Sequence, residues 1–393
     1  YAGQYRKVTK PGYAVECIGF LCGMKAATLK LVSRKPYHSA MSRPTAPPHT
    51  PVPATPRATI ADVARVAGVS KATVSRVLNR RTDLLTPDIA ARVEAAIAAL
   101  AYVPSPMAQG LKRGRSRLIG LVVADITNPY SVAVLRGAEK ACQQAGYLVM
   151  LFNLGNESGR EREAIEALSS YQVDGFILNT LGGEARAVAE ATRHGKPVVL
   201  VDRRHPGMQA DFVSLDNAGA ARLGVEHLVD TGHQQLLYVT EPVAGVSSRE
   251  ERNAAFHSCV AAHSPQVTGL TFESTIDNPQ ALDGALQHLR AQATGTPHLA
   301  VFCGNAVITL RVAAAVARLG WQLGRDVALI GFDETEWAPL VGPGLSTLAQ
   351  PTDDLGRLAA QCLLERLQGL VMAPRQILLP AELVVRGSTR AAG

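Results

Sequence analysis

From Arg117 onward, short apolar runs alternate with stretches of helical periodicity, and this alternation restricts the chain to a small set of folds. The runs are L-I-G-L-V-V-A-D, Y-L-V-M-L-F-N, D-G-F-I-L-N, P-V-V-L-V-D, Q-L-L-Y-V-T, L-T-F-E-S, L-A-V-F-C-G-N and V-A-L-I-G-F-D. Helical patterns lie between them, for example at 131–145, 159–171, 249–263 and 307–319. Because the runs are continuously apolar, they favour strands of parallel sheets covered on both faces. Two such sets in series predict an α/β body of two doubly wound subdomains, with a ligand crevice at the carboxyl ends of the strands.

The preceding segment, residues 57–103, has the pattern of three short helices. The first ends at Gly68, Ser70 is a suitable N-cap for the second, and Thr86-Pro87 begins the third with proline at its first position. Two helices joined by a glycine-containing turn fit helix-turn-helix geometry. The residues expected to point inward recur at helical spacing: Ile60, Val63, Ala64, Ala67, Val74, Val77, Leu78, Ile89, Val93, Ile97 and Leu100.

Charge is distributed unevenly along the chain. Residues 57–117 carry eleven lysines and arginines against four acidic residues, and residues 1–56 carry eight against one, so each segment has a net charge of +7. Since the whole chain also has a net charge of +7, residues 118–393 must sum to −7. Residues 1–117 are thus basic and residues 118–393 are acidic, which predicts that a polyanionic partner binds the N-terminal segment only.

Cysteine spacing, hydropathy and motif content exclude other classes of protein. The six cysteines show no CxxC pair and no ligand spacing with histidine, which favours reduced thiols and predicts no bound metal or cofactor. No apolar run reaches the roughly 18 residues that a membrane span needs, and no segment is typical of a signal peptide. The sequence has no G-x-G-x-x-G opening a helix after a strand, no G-x-x-x-x-G-K-[ST] and no H-E-x-x-H. These features favour a cytoplasmic protein that is not an enzyme.

Two segments are set apart from the predicted domains. Residues 1–56 are expected to be a disordered or non-native extension, because they lack clear periodicity and end in the proline-rich stretch P-T-A-P-P-H-T-P-V-P-A-T-P. Met41 is then the expected start of the native protein. Residues 104–117, which include P-S-P-M-A-Q-G-L-K-R-G-R-S, are predicted to form a hinge linker with at most one or two helical turns.

The second predicted helix presents small and basic groups on its outer face. Lys71 and Ala72 lie at its N-terminal end, where a helix in the major groove reaches base edges, and Arg76 can donate two hydrogen bonds to guanine O6 and N7. Other polar residues are placed for phosphates, which position a reading helix without specifying sequence: Ser70, Thr73, Ser75 and Asn79. Periodicity and charge alone leave open a small helical bundle with a solvated basic face.

The segment T-I-A-D-V-A-R-V-A-G-V-S-K-A-T-V-S-R-V-L-N resembles the signature of the lactose-repressor (LacI/GalR) family of bacterial transcription regulators. The similarity continues, in the family's order, through Y-V-P-S-P-M-A-Q-G-L, I-T-N-P-Y, D-G-F-I-L, D-V-A-L-I-G-F-D-E and L-S-T-L-A-Q-P, and covers Ala58 to about Arg386. It implies a periplasmic-binding-protein-like body behind the helical front. It also implies a homodimer or tetramer that binds a near-palindromic operator duplex in the bacterial cytoplasm, at the nucleoid.

In this resemblance, residues 118–393 bind the effector and dimerise. The expected division gives one subdomain of about 118–217 and 349–376, and a second of about 218–348 and 377–393. In each half, helical patterns alternate with the strands along the chain, as a doubly wound sheet requires.

The resemblance also assigns a role to the hinge. In the family, a hinge helix forms on DNA and inserts a leucine into the minor groove, and the matching residue is Leu111. Here Gln109 and Gly110 precede it in place of the family's usual A-R-S-L pattern, and Gly110 should cost roughly 1 kcal/mol of helix stability relative to alanine. We therefore predict a hinge that is unfolded off DNA and weaker on it. The further DNA contacts expected are Thr59 and Lys112, with Arg113 and Arg115 in support.

Effector contacts map onto loops that follow the predicted strands. The resemblance assigns them to Tyr130, Ser131, Arg252, Asp333 and Gln350, with Asp125, Asp202 and Asn305 as further candidates. Carboxylates and a guanidinium can bind vicinal hydroxyls while an aromatic ring covers the apolar face of a sugar. The run V-D-R-R places Asp202 beside Arg203. Asp125 and Asp202 could instead cap helices or tie loops, and Arg252, expected on the first turn of its helix, could be a solvated charge. Asp333 ends an apolar strand with no local partner, which favours a role in the pocket.

One departure from the family bears on the ligand. Ala306 follows Asn305 where the family usually has aspartate, so the crevice is less negative around Arg252 and favours a sugar acid over a neutral hexose. The run E-W-A-P-L-V-G-P-G-L-S-T-L-A-Q-P also resembles regulators of gluconate and ketogluconate use. The predicted function is a sequence-specific DNA-binding repressor whose operator affinity is controlled by a small carbohydrate. The alternatives are a sugar-binding transport receptor and a carbohydrate-metabolism enzyme with the same two-lobed body.

Overall fold

The computed structural model describes residues 58–79, 81, 85–104, 115–182, 189, 195–292 and 299–390. These residues belong to one compact unit that begins at Ala58. The predicted N-terminal extension lies outside the described residues, and so do positions 105–114 of the linker. The predictions for Gln109, Leu111 and Lys112 therefore also lie outside them.

Three helices open the described chain: α1 (Ile60–Ala67), α2 (Lys71–Leu78) and α3 (Pro87–Ala99). Thr59 caps α1 through a capping box with Asp62, and Gly68 ends that helix in the left-handed region. Ser70 Oγ accepts a hydrogen bond from the Thr73 N–H at 3.2 Å, so the predicted N-cap of α2 is confirmed. The apolar faces of the three helices meet in one small core.

The first subdomain is built on six strands: β1 (Leu118–Val123), β2 (Leu148–Asn153), β3 (Gly175–Asn179), β4 (Val198–Val201), β5 (Asp211–Leu215) and β11 (Gln376–Leu379). They are all parallel and lie in the order β11-β5-β4-β3-β1-β2. One core on the first face includes α4 (Pro129–Gln144) and α10 (Thr352–Leu367), and a second core on the other face includes α5 (Glu161–Ser170). The strands β3, β4 and β5 are buried at every residue because both faces are covered.

The second subdomain also has six strands: β6 (Gln235–Thr240), β7 (Thr268–Glu273), β8 (Leu299–Cys303), β9 (Ala328–Phe332), β10 (Ser346–Ala349) and β12 (Glu382–Val384). Their order is β12-β10-β9-β8-β6-β7. The helices that cover this sheet are α6 (Asn217–Asp230), α7 (Ser247–Ala262), α8 (Pro279–Gln292) and α9 (Ala306–Arg318). The edge strand β12 is antiparallel to β10, so the predicted doubly wound parallel sheet is correct for five strands and wrong for this edge.

Three crossovers connect the subdomains, and they correct the predicted boundaries. The first lies between β5 and α6, close to the predicted position at 217. The second follows β10, which includes Ala349, so residue 349 belongs to the second sheet and not to the first. The third follows β11, which pairs with β5 as far as Leu379, so the first subdomain extends beyond the predicted end at 376. Among the described residues, no helix is both long and apolar enough to cross a membrane.

Helices α4 and α10 approach each other closely at two glycines. A Cβ on Gly137 would overlap the backbone oxygen of Asp353, and a Cβ on Gly356 would overlap the backbone oxygen of Val134. Side chains at these positions would therefore force the helix backbones apart.

Replacing Gly356 with alanine is expected to lower the free energy of unfolding by about 3 kcal/mol, because the added methyl overpacks the contact between α4 and α10. Gly284 on α8 is a matched control, since a Cβ there would meet no atom within 4 Å. Its replacement with alanine is expected to raise the free energy of unfolding by about 0.5–1 kcal/mol through helix propensity. Urea denaturation of both variants measures the difference, and similar effects at the two positions would contradict the close helix contact.

Candidate ligand crevice and DNA-reading helix

The predicted ligand residues lie where the strands of both sheets end at the crevice. Asp202 directly follows β4, Asp333 directly follows β9, and Gln350 directly follows β10. Both aspartates have a positive φ, 66° for Asp202 and 72° for Asp333. A non-glycine residue adopts this conformation only when the surrounding structure holds it there, and such positions are frequent at functional sites. The parallel topology thus places residues that are distant in sequence at the carboxyl edges of the two sheets, which face the crevice.

Arg252 is held at the crevice by two hydrogen bonds and by an aromatic ring. It lies on the second turn of α7, which begins at Ser247, and the prediction that placed it on the first turn is wrong. Its Nε donates to Asn217 Oδ1 at 2.8 Å, and its Nη1 donates to the Gly304 carbonyl at 2.7 Å. Its guanidinium carbon lies 3.9 Å from the centroid of the Phe332 ring. Because Arg252 is only 5% exposed, it is not a solvated helix charge.

Asp202 joins the two subdomains at this point. It follows a strand of the first sheet, yet its Oδ1 lies 3.9 Å from Nη2 of Arg252 in the second subdomain. The Ser248 hydroxyl of α7 donates to its Oδ2 at 3.5 Å. The neighbouring residue adds a further link, since the Arg204 N–H donates to Ser247 Oγ at 2.8 Å. A change in the relative position of the subdomains must therefore alter the surroundings of Asp202.

Asp333 has two partners that the sequence did not reveal. Its Oδ2 accepts a hydrogen bond from the Ala306 N–H at 3.0 Å, and its Oδ1 accepts one from Gln350 Nε2 at 2.6 Å. Asp333 has no partner near it in the sequence, as expected, but the fold supplies two partners from other segments. Burial raises the pKa of Asp333 above its usual range, while the charge of Arg252 and these two hydrogen bonds oppose that rise.

Tyr130 lies in the first turn of α4 and is only 6% exposed. Burial, together with the charge of Asp202, raises the pKa of its hydroxyl well above the usual range, and Arg252 opposes this. The hydroxyl is thus neutral and can donate a hydrogen bond. The buried polar atoms around the crevice that have no hydrogen-bond partner in the described part of the chain include Tyr130 Oη, Asp202 Oδ1, Arg203 Nε, Thr335 Oγ1 and Gln350 Oε1. Such atoms are rare in proteins because each one costs free energy, and they mark positions that a ligand can satisfy.

The other predicted ligand residues have local structural roles. Asp125 accepts hydrogen bonds from the Thr127 N–H and hydroxyl, both at 2.8 Å, and from Asn156 Nδ2 at 2.9 Å. This is the loop-tying role that the sequence left open. Asn305 caps α9 and donates to Glu241 Oε2 at 2.8 Å, and Ser131 is buried in the first turn of α4.

The outer face of α2 carries the predicted base-reading residues. Lys71, Ala72 and Arg76 are exposed, and among the described residues neither Lys71 nor Arg76 forms an ion pair. Ser70 and Thr73 are hydrogen-bonded to each other at the N-terminus of the helix, with 3.0 Å between their hydroxyl oxygens. Both cationic side chains are therefore available to a polyanion, while the helix beneath them is fixed by its cap and by the buried side chains of its inner face.

The remaining predicted DNA contacts are held locally. Asn79 donates from Nδ2 to the Ser75 carbonyl at 2.6 Å, across one turn at the end of α2. The Thr59 hydroxyl donates to Asp62 Oδ2 at 2.7 Å. Each of these side chains thus has a structural role beside the DNA contact predicted for it.

Comparison with known proteins supplies the family. A family model of bacterial regulatory proteins, lacI family, matches residues 59–105, and a periplasmic binding protein-like domain matches residues 225–389. The HTH-type transcriptional regulator PtxS of Pseudomonas plecoglossicida is 45% identical over 85% of this chain and 96% of its own length. The chain belongs to the lacI family. The HTH-type transcriptional regulator KdgR of Bacillus subtilis (strain 168) is 37% identical over 84% of this chain and 97% of its own length.

Solved structures agree with this assignment to the lacI family. The crystal structure of the lac repressor dimer bound to operator and the anti-inducer ONPF is 27% identical, with a TM-score of 0.73 over 85% of this chain and 99% of that one. The predicted fold class, a helix-turn-helix domain followed by a two-lobed periplasmic-binding-protein-like body, is confirmed. The chain aligns with 96% of the length of PtxS and 97% of that of KdgR. As a lacI-family member, it is a helix-turn-helix transcriptional regulator.

Several crevice residues of this lacI-family member escaped the sequence analysis. Asn217 and Glu241 hold Arg252 and Asn305 in place, but they lie 35 and 64 residues away along the chain. Arg203 was visible beside Asp202, and Arg249 was visible within S-S-R-E-E-R. The sequence placed Arg203 in a loop at a strand end, whereas no local pattern distinguished Arg249 from a surface charge; the fold shows that both side chains are largely buried, at 10% and 13% exposed.

Proposed function

We propose that this lacI-family regulator is a repressor that binds a near-palindromic operator as a homodimer or tetramer, and that a sugar acid in the crevice controls its operator affinity. The observation that carries the effector proposal is the group of buried polar atoms at the crevice that have no hydrogen-bond partner among the described residues. The proposed effector contacts are the residues predicted from the sequence: Asp125, Tyr130, Ser131, Asp202, Arg252, Asn305, Asp333 and Gln350.

Charge supports an acidic ligand over a neutral one. Asp202 lies beside Arg203 and Arg252, and the charges of all three residues act on Arg249. The guanidinium groups of Arg203, Arg249 and Arg252 thus lie within electrostatic reach of Asp202 where the subdomains meet, with Glu241 paired to Arg249 and Asp333 acting on Arg252. A ligand that brings its own carboxylate can use donors that Asp202 alone does not occupy.

The DNA-binding proposal depends on the outer face of α2. The exposed Lys71, Ala72 and Arg76 are proposed to contact base edges in the major groove, because the N-terminal residues of a recognition helix occupy that position. The residues proposed to contact the DNA backbone or the minor groove are Thr59, Ser70, Thr73, Ser75, Asn79, Gln109, Leu111 and Lys112. A transport receptor or an enzyme would leave this exposed basic helix without a role. The proposed location is accordingly the bacterial cytoplasm, at the nucleoid, and the body is a sensor without catalytic activity.

Coupling between the two sites is proposed to act through the position of the subdomains. Asp202 from the first subdomain contacts Ser248 and Arg252 from the second, so a ligand among these residues favours one relative position. DNA favours a position of its own through the linker at 104–117. The difference in ligand affinity between the two positions then sets the response.

The test is selection of bound duplexes from random DNA, repeated with D-gluconate or 2-keto-D-gluconate. We expect a near-palindromic sequence whose binding weakens steeply as salt concentration rises. One of the two acids is expected to change the operator Kd, and the direction of the change gives the sign of the coupling. D-glucose and D-fructose serve as neutral controls. Failure to enrich any sequence would contradict the DNA-binding proposal, and a response to neutral sugars alone would contradict the sugar-acid proposal.

A further inference from the structure

We propose that Arg203 is the receptor for the effector's carboxylate and determines the preference for an acid over the corresponding neutral sugar. This inference rests on the proposed function, because it assumes that a sugar acid binds in the crevice. Arg203 follows Asp202 at the end of β4, in the first subdomain. The role assigned to it is separate from those of the effector contacts predicted from the sequence.

The bonding of Arg203 is unusual for a buried guanidinium. Its side chain is only 10% exposed. Its Nε lies 3.3 Å from Asp202 Oδ2 without hydrogen-bond geometry, and it has no other partner in the described chain. Among the described residues, the Arg203 side chain donates one hydrogen bond, from Nη1 to the Thr180 carbonyl at 3.3 Å. A guanidinium has five N–H donors, and here the Nε donor is buried without a hydrogen bond, which is costly, while Nη2 makes no hydrogen bond with the described residues. A bound carboxylate would accept two of them.

The two neighbouring arginines are already engaged. Arg249 donates from Nη2 to Glu241 Oε2 at 2.6 Å and from Nη1 to the Pro242 carbonyl at 2.9 Å. Arg252 donates to Asn217 and to the Gly304 carbonyl, as described above. Of these three arginines, Arg203 therefore makes the fewest hydrogen bonds within the protein. Its guanidinium can bind an anion with the least loss of existing hydrogen bonds.

The surroundings of Arg203 also indicate where the rest of the ligand lies. Asp202 Oδ1 is buried and unpartnered, and as a carboxylate oxygen it can only accept a hydrogen bond. A hydroxyl near the ligand's carboxylate can supply that bond. Tyr130 lies within the electrostatic reach of both Asp202 and Arg203, and its hydroxyl is also unpartnered. The site thus fits a polyhydroxy acid whose carboxylate lies at Arg203 and whose nearest hydroxyl donates to Asp202.

The experiment compares each acid with the neutral molecule that has CH₂OH in place of its carboxylate. D-gluconate is paired with D-glucitol, and 2-keto-D-gluconate with D-fructose. Calorimetric titrations use the full chain and its Arg203→Gln variant. For the acid that binds, we expect Arg203→Gln to raise the Kd about 30-fold, while the Kd of the matched neutral compound changes by less than about threefold, because only the charge-assisted hydrogen bonds are lost. Arg203→Lys keeps the charge but not the fork of donors, so it should weaken acid binding about tenfold.

The matched control is Arg204→Gln, which removes the same charge at the adjacent position. The Arg204 side chain is 42% exposed, packs on the Phe212 ring at 4.1 Å and lies 3.6 Å from Glu251. Acid binding by this variant should remain near that of the unaltered chain. If the unaltered chain binds no acid better than its neutral partner, the sugar-acid effector itself is wrong. If it does bind the acid preferentially, and both Arg203 variants keep that preference, the effector stands and the assignment to Arg203 is overturned. Operator binding by each variant shows that it has folded.

Discussion

Replacing Arg76 with alanine is expected to weaken binding of the selected operator about 10³-fold. A guanidinium that donates twice to guanine contributes roughly 1–3 kcal/mol of discrimination, and a dimer loses the contact at both half-sites. Arg76 can make this contact because it is exposed on the outer face of α2 and forms no ion pair with the described residues. Binding to duplexes without the operator should change by less than about tenfold, since that binding depends on the phosphate charge rather than on one base contact.

Arg65→Ala is the matched control for this prediction, because it removes the same charge from α1 of the same domain. Its side chain is 74% exposed and pairs with Asp62 at 3.0 Å, one turn earlier on the helix. An exposed pair of this kind contributes little to stability. Fluorescence anisotropy titrations at two salt concentrations separate the variants. Equal losses in Arg65→Ala and Arg76→Ala would show that α2 contributes charge but reads no base, which would contradict its role as the recognition helix.

The central strands β1, β3, β4, β6, β8 and β9 were predictable from the sequence because both of their faces are largely buried, and the edge strands β2 and β7 were predictable from their apolar runs although they are partly exposed. Each of the eight apolar runs became a strand, β1 to β4 and β6 to β9. The strand β5, D-F-V-S-L, was missed because it contains two polar residues, and both are buried. Asp211 is bound by Arg366 and Arg375, and the Ser214 hydroxyl donates to the Asp202 carbonyl. Those partners are distant in sequence, so no local pattern marks this segment as buried.

The remaining missed strands share a different cause. The strands β10, β11 and β12 have only three or four residues each, and the chain changes subdomain between one and the next. Periodicity over so few residues is weak, and it contains no information about which sheet a strand joins. The boundary errors near 349 and 376 follow from this limit.

The candidate site was predictable to the extent that strand order determines it. Asp202 follows β4 at the carboxyl edge of the first sheet and Asp333 follows β9 at that of the second, so both could be placed at the crevice from the predicted strands, whereas Gln350 was assigned by the family resemblance because β10 was not predicted. Which donors remain unused could not be predicted, because it depends on contacts such as Arg252 with Gly304, 52 residues apart. The distinction between an engaged and an available arginine therefore requires the fold.

Replacing Arg252 with alanine is expected to weaken effector binding at least about 100-fold while leaving operator binding intact. The variant loses the guanidinium that faces Asp202, and it leaves Asn217 Oδ1 and the Gly304 carbonyl without their donors. Losing the charge-assisted contact proposed between this guanidinium and the ligand accounts for an effect of about this size, while the loss of its two bonds within the protein lowers the stability of the crevice. Because the DNA-reading residues lie on α2, the variant should still bind the operator but no longer respond to the sugar acid.

Arg290→Ala is the control that separates loss of the ligand site from general loss of packing. Like Arg252, Arg290 places its guanidinium over an aromatic ring, here Trp321 at 4.6 Å, and donates to a carbonyl, that of Asp326 at 2.8 Å. It lies on α8 of the same subdomain, and the contacts that hold it are not those of the crevice residues. Operator titrations with and without the acid, together with thermal unfolding of both variants, provide the comparison. Since each variant loses a guanidinium that packs on an aromatic ring and thermal unfolding measures the stability lost by each, a normal response in Arg290→Ala beside none in Arg252→Ala assigns the effect to the crevice. A response that survives in Arg252→Ala would place the effector elsewhere in the body.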